Sequence, residues 1–444
     1  MKDKTPLYNR LLEHEKLDRS SFHTPGHKCA GFFPEHLLRL DYTELPDTDA
    51  LYEASGVILE SEKLLSELFA TKRSLISAGG CSLAIQAMMK TARDRGKKIL
   101  CVRNAHRSAI NAMALLGLEP LWLTPQGSNG YTGRADPNEV EKLLKANSDI
   151  SACYITSPSY YGELSDIAAI AEVCHQYNTI LLVDNAHGSH LAFMKENLHP
   201  IALGADMSAC SLHKTMPVLT GGAALNIGNE TLCQNAKSAM ALFGSTSPSY
   251  LIMSSVDLCI DYMLSGSGKS DYLRCEEKVA ELKAMANEKG IIQPEGICDP
   301  LRLTLNTACA GILGEEKQIA YFESHEIDCE FCDGINAVLI FTPFNTDRDF
   351  ERVRNAIENM FVSNRNFKHF FVPYQPKKIL TLRQALLSPS ETSALSEATG
   401  KIAADTACPC PPGVPIVMPG ELIDEPAIKL LAEYGIEKVT TVTK

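Results

Sequence analysis

Two short segments carry residues suited to amine chemistry. Ser211-Leu212-His213-Lys214-Thr215 follows one apolar run, and Val183-Asp184-Asn185-Ala186-His187-Gly188 closes another upstream of it. A lysine of lowered pKa can hold an aldehyde as an imine and release it again. A carboxylate kept ionised beside a pyridine nitrogen holds that nitrogen protonated, so the ring draws in electrons. Pyridoxal 5'-phosphate needs both, which assigns the imine to Lys214 and the pyridine nitrogen to Asp184. Singly, each has an ordinary explanation. An Asp at a strand end usually caps a helix or closes a turn, and a loop lysine is usually a solvated charge.

The phosphate of such a cofactor needs donors at a helix N-terminus, where free N–H groups and the helix dipole favour an anion. Ser77-Ala78-Gly79-Gly80-Cys81-Ser82 precedes a helical pattern and meets that need, and Ser211 is a further candidate donor. By itself Gly-Gly before a helix is often only a turn. His106, in Arg103-Asn104-Ala105-His106-Arg107-Ser108, follows a strand and can stack on the ring; the plainer reading is a histidine at a helix start. Thr156 to Gly162 forms a turn after another strand and could line the ring's phenolic edge.

Such residues must be positioned by regular elements. Strand-like runs at 75–77, 99–102, 121–123, 151–155, 179–184, 207–211 and 223–227 alternate with helical patterns at 82–94, 105–116, 138–146 and 167–177. That alternation predicts an α/β fold, a mostly parallel sheet covered on both faces, with ligands at the carboxyl ends of its strands. After Ser265-Gly266-Ser267-Gly268 a long helical pattern runs to Lys289. Strands at 301–305 and 337–342, a helix at 347–359 and a Pro-rich segment at 408–415 follow. At 444 residues two domains are expected. We place an N-terminal segment and cofactor-binding large domain at 1–266 and a smaller α+β domain at 267–444.

A net charge of -12 argues against a nucleic-acid partner. No apolar stretch approaches the ~20 residues that span a bilayer, and no secretory signal follows Met1, so a cytoplasmic location is expected. The fifteen cysteines are then read as reduced thiols. Cys329/Cys332 and Cys408/Cys410 lack a second pair at zinc spacing, and no metal is expected. Gly268-Lys269-Ser270 is no phosphate loop, because Met263 stands where its first glycine belongs. Pro25-Gly26 forbids the helix that would bring His23 and His27 onto one face.

The ordered set Gly79-Gly80-Cys81-Ser82, Asn104-Ala105-His106-Arg107-Ser108, 156–162, 183–188 and 211–215 closely resembles the ornithine/lysine/arginine decarboxylases of aspartate-aminotransferase fold (fold type I). Segments 22–28, 49–56, 245–250, 411–415 and Pro419-Gly420-Glu421 extend the likeness over nearly the whole chain, apart from an N-terminal wing domain of longer members. The resemblance implies a lyase of polyamine biosynthesis that removes CO2 from a basic amino acid. Lys214 would be its Schiff-base lysine and Asp184 the pyridine-nitrogen partner. His106 would stack on the ring, and His187 would sit beside cofactor and substrate. Ser211, His213, the backbone of Gly80 and Cys81, and the Ser82 hydroxyl would hold the phosphate. Thr246 or Ser247 would reach the phosphate of a second copy, making a homodimer with shared sites. Relatives often carry a hydroxyl residue where Cys81 stands, and a thiol is a weaker donor.

Two other readings compete. Another fold-type-I enzyme (aminotransferase, aldolase or carbon–sulfur lyase) would need different contacts; an aminotransferase would clamp the α-carboxylate with an arginine, for which Arg302 or Arg383 can be argued. A non-catalytic binding protein on the same scaffold is disfavoured by the intact lysine, aspartate and phosphate loop. Among substrates arginine ranks first, then lysine or ornithine. The distal cation would require an acidic partner such as Glu53, Asp299 or a residue of the second copy.

Overall fold

The computed structural model describes residues 4–16, 39–127, 131, 133–291, 293–362, 374–408 and 414–443. The expectations for 22–28, Cys410 and 411–413 lie outside these. The chain forms two compact units, residues 1–91 with 182–275, and residues 92–181 with 276–444.

Four strands of the first unit explain the site: β1 (Arg73–Ser77), β5 (Ile180–Asp184, its last three residues in this unit), β6 (Met207–Cys210) and β7 (Ala223–Ile227), in the order β1-β7-β6-β5. β5, β6 and β7 are buried at every residue, as strands covered on both faces must be. β5 and β6 are parallel, with Asp184 opposite Ala209. β7 runs antiparallel to both β6 and β1, a departure from the parallel reading. The physical reason is the connection. Residues 211–222 join β6 to β7 with only the four-residue helix Leu212–Thr215 among them, without the full helix that usually makes the crossover of a parallel return. Register then sets one functional edge. Ser77 lies opposite Ala223, Ala224 opposite Cys210, and Asp184 opposite Ala209. The ends of β1, β5 and β6 therefore fall together.

In the second unit β2 (Lys98–Val102) pairs in parallel with both β3 (Glu119–Leu123) and β4 (Ile150–Thr156). The α/β reading holds, with parallel pairs prevailing among the strands of the first half. Beyond these come an antiparallel sheet of order β8-β10-β9 (Arg302–Asn306, Asn336–Ile340, Phe331–Cys332) and an antiparallel pair, β11 (Ser390–Ala394) with β12 (Lys438–Val442). Helices Tyr250–Leu264 and Ser267–Glu288 meet at Ser265-Gly266, and the first compact unit runs past that turn to residue 275. Among the described residues no helix is long and apolar enough to cross a membrane.

Candidate active site

The first unit assembles most of the expected residues at one strand edge. β5 ends in Asp184, a residue 2% exposed whose carboxylate accepts the Ala186 N–H at 3.1 Å. The chain then turns back, the Gly188 N–H reaching the Asn185 carbonyl at 3.0 Å, and this turn carries His187. β6 ends at Cys210, and the short helix that follows presents Lys214. The Lys214 Nζ lies 2.8 Å from His187 Nε2. Two strand ends thus deliver an exposed amine, an imidazole and a buried carboxylate to one place.

The phosphate loop meets the same edge. Gly80 opens the helix to Arg95 at φ +69, and a side chain built there would meet only open space. Its N–H is not a phosphate donor, however, because it goes to the Gly221 carbonyl at 2.8 Å. The donors left by helix geometry are the N–H groups next in line, those of Cys81 and Ser82. Gly222 accepts both the backbone N–H of His213, at 3.2 Å, and its Nδ1–H, at 3.0 Å. A side chain at Gly222 would strike Val218. The Gly221-Gly222 pair therefore ties the phosphate loop to the turn bearing Lys214, and only the general presence of glycines there was visible in sequence.

Cys81 faces inward. Burial, then the nearby Asp184 charge, pushes its thiol well above the usual range, opposed by a hydrogen bond with Ser211 and by the Lys214 charge. The environment of this one thiol thus includes Asp184, Cys210, Ser211 and Lys214 together. Ser211 occupies the cap position of the Lys214 helix yet makes no cap hydrogen bond, its hydroxyl engaging Cys81 instead. Thr246 and Ser247 are exposed in the turn before helix Tyr250–Leu264. Glu53 is also exposed. Between 49 and 56, Asp49 does structural work. It accepts the N–H groups of Ala50, Ser55, Gly56 and Ile58 at 2.8–3.1 Å.

Other candidates belong to the second unit. His106 is exposed and caps helix Arg107–Leu116, its Nδ1 accepting from the Ser108 N–H at 3.2 Å and meeting the Ser108 hydroxyl at 2.8 Å. Arg302 is buried and committed to the carbonyls of Ser159 and Tyr160 at 3.1 and 2.9 Å, with Asp299 at 3.7 Å. Arg383 donates to the Leu115 carbonyl at 2.6 Å. Both arginines proposed as carboxylate clamps are thus spent on backbone, and Asp299 is occupied by Arg302 and the Leu301 N–H. Sequence reasoning also missed a buried ion pair. Arg103 meets both oxygens of Glu421, at 2.8 and 2.6 Å, joining two motifs that had been singled out separately.

The family model described as Orn/Lys/Arg decarboxylase, major domain, matches residues 5–343, and that of its C-terminal domain matches 364–434. The chain belongs to the Orn/Lys/Arg decarboxylase family. It is a carboxy-lyase acting on basic amino acids. An arginine decarboxylase of Bacillus subtilis is 29% identical over 96% of this chain and 93% of its own length. A lysine decarboxylase of Hafnia alvei is 23% identical over 97% of this chain and 75% of its own. In fold, lysine decarboxylase A from Pseudomonas aeruginosa matches with a TM-score of 0.84 at 18% identity, over 99% of this chain and 80% of that one. The decarboxylase has the α/β fold of that neighbour, and the aminotransferase, aldolase and carbon–sulfur lyase alternatives are not favoured.

Proposed function

We propose that this decarboxylase holds pyridoxal 5'-phosphate on Lys214 and acts on arginine ahead of lysine or ornithine. The observation that carries the reading is the 2.8 Å contact between Lys214 Nζ and His187 Nε2 at the strand edge where β5 ends in the buried Asp184. The residues present fit the cofactor. An accessible amine, a buried carboxylate and a glycine-opened helix N-terminus share one strand edge. The cofactor supplies an electron-poor ring that accepts the electron pair left when CO2 departs.

The chain's own groups do the rest. Lys214 must lose its ammonium proton before it can bind an aldehyde, and His187 Nε2 stands within reach of that proton. Asp184, shielded from water, offers a fixed negative charge to a pyridinium nitrogen. The N–H groups of Cys81 and Ser82, the Ser82 hydroxyl, Ser211 and the His213 side of the turn serve the phosphate. His106 would stack on the ring, as the family resemblance implies. Thr246 and Ser247, exposed on this chain, are assigned to the phosphate of a second copy in a homodimer. The large domain is taken to residue 266 and the small one from 267. A cytoplasmic enzyme of polyamine synthesis is the setting we infer.

Arginine is favoured because the arginine decarboxylase of Bacillus subtilis matches nearly end to end, whereas the lysine enzyme of Hafnia alvei matches over three quarters of its length. Incubation with arginine, lysine and ornithine, reading CO2, amine and keto acid, tests this. Arginine should give CO2 and its amine at the highest kcat/KM. Keto acid in place of CO2, or no turnover of any of the three, would refute it.

A further inference from the structure

Lys214 and His187 sit on two separate turns, and both side chains reach toward solvent, Lys214 exposed and His187 half-buried. Something beneath them must set their 2.8 Å separation. Asn185 is fully buried between the two strand ends. Its backbone N–H donates to the Ala209 carbonyl at 2.9 Å, extending the β5–β6 ladder by one step. Its side-chain amide uses both hydrogens. One goes to the Gly188 carbonyl at 3.0 Å, closing the turn that carries His187, and the other to the Cys210 sulfur at 3.3 Å, on the strand that leads to Lys214. The opposite amide orientation would set two acceptors, Asn185 Oδ1 and the Gly188 carbonyl, against each other.

The sulfur is itself held. Ser208 Oγ at 3.7 Å, His199 Nε2 at 3.4 Å and Asn226 Nδ2 at 3.5 Å surround it, and Asn226 accepts from the Ser74 hydroxyl at 2.7 Å on β1. A polar seam therefore runs under β1, β7 and β6 and ends at Asn185. It is buried throughout and anchored on every strand of this edge.

We propose that Asn185 is a positioning residue for the reaction. Through the Cys210 sulfur and the Gly188 carbonyl it locks the His187 turn to the Lys214 strand and so sets the amine–imidazole distance. The inference rests on the roles given above to Lys214 and His187. An asparagine directly after a buried strand is otherwise a poor choice, since its buried Oδ1 has no hydrogen-bond partner among the described residues and only its amide hydrogens are matched.

The test compares Asn185→Ala, His187→Ala and the double variant in the full chain. The first readout is the rate at which apoprotein takes up pyridoxal phosphate on Lys214, trapped by borohydride. The second is kcat and KM for arginine. Asn185→Ala should slow uptake and lower kcat on the order of 10–100-fold, the scale of a misplaced reacting group, with KM little changed. In the His187→Ala background it should cost nothing further. Losses that multiply in the double variant, or an Asn185→Ala protein that melts lower but labels and turns over normally, overturn the proposal. If His187→Ala alone behaves as the parent, the role given to His187 falls and this proposal with it. If His187→Ala is defective and Asn185→Ala is not, only this proposal falls. Should Asn185→Ala fail to fold, Cys210→Ala probes the same link from the other strand. Slowed uptake, restored in Cys210→Ser, supports the lock; parent-like uptake in Cys210→Ala overturns it.

Discussion

Removing the Glu421 carboxylate strands a guanidinium in the protein interior. Arg103 and Glu421 side chains are 1% and 5% exposed. The guanidinium spends four N–H groups on Pro415 O, Ile416 O and the two Glu421 oxygens, all within 3.0 Å. Glu421→Ala takes away two of these acceptors and the countercharge, and also frees the Met418 N–H that donates to Glu421 Oε2 at 2.8 Å. Breaking a buried pair from one side costs about 3–5 kcal/mol. At about 2 °C per kcal/mol for a cooperative unit of roughly 250 residues, Tm should fall by about 6–10 °C. Trp122, the single tryptophan of the chain, lies 6.0 Å from the guanidinium carbon, so its fluorescence reports the same site locally. Arg103→Met with Glu421→Leu removes both charges and should recover most of the loss, because no unpaired charge stays buried. Calorimetry and Trp122 emission measure all three proteins. A Glu421→Ala protein that melts within the ~0.5 kcal/mol range of a surface substitution, or a double variant less stable than the single one, would refute the reasoning.

Further outcomes follow from other buried groups. Burial pushes His199 from 6.5 down to about 3, so the fold holds it neutral. The stability this gives is complete above pH 6.5 and is lost as pH falls toward 3, about 2 kcal/mol of it by pH 5. Urea melts of His199→Gln should show a flatter acid limb; an unchanged limb would contradict the assignment. Cys81, its thiol raised by burial, should resist iodoacetamide at pH 8 in the folded protein, and Cys81→Ser should keep decarboxylating within a few-fold. Complete loss of turnover in that variant would mean that the thiol itself is needed. Asp49 is held below its ordinary pKa because, although burial opposes it, four backbone N–H donors prevail. Asp49→Ala should cost about 1–3 kcal/mol, read by denaturant melts, with Asp49→Asn retaining part of it.

The strands around the site were legible because their chemistry is local. Thr179 to Asp184 and Ala223 to Ile227 are short apolar runs bounded by polar turns, and β5 and β7 fall on them. The direction of β7 was not legible, since periodicity says nothing of how a strand pairs. β11 escaped notice for a different reason. Ser390-Glu391-Thr392-Ser393-Ala394 is exposed at all but one position, so no apolar alternation marks it. Within the site, Lys214, Asp184 and His187 were readable as residue types. The commitments of Arg302, Arg383 and the Gly80 N–H were not, because each depends on a carbonyl remote in sequence. The same holds for Arg103 with Glu421 and for Asn185 with Cys210, where polar residues in a buried setting were the available hint.

The chemistry proposed here depends on which amine takes the cofactor. Apoprotein loaded with pyridoxal phosphate, reduced with borohydride, digested and mapped by mass spectrometry identifies it. The predicted result is one pyridoxyl adduct, on the peptide containing Lys214, absent from Lys214→Ala together with CO2 release from arginine. An adduct on a different lysine, or turnover that survives Lys214→Ala, would contradict it.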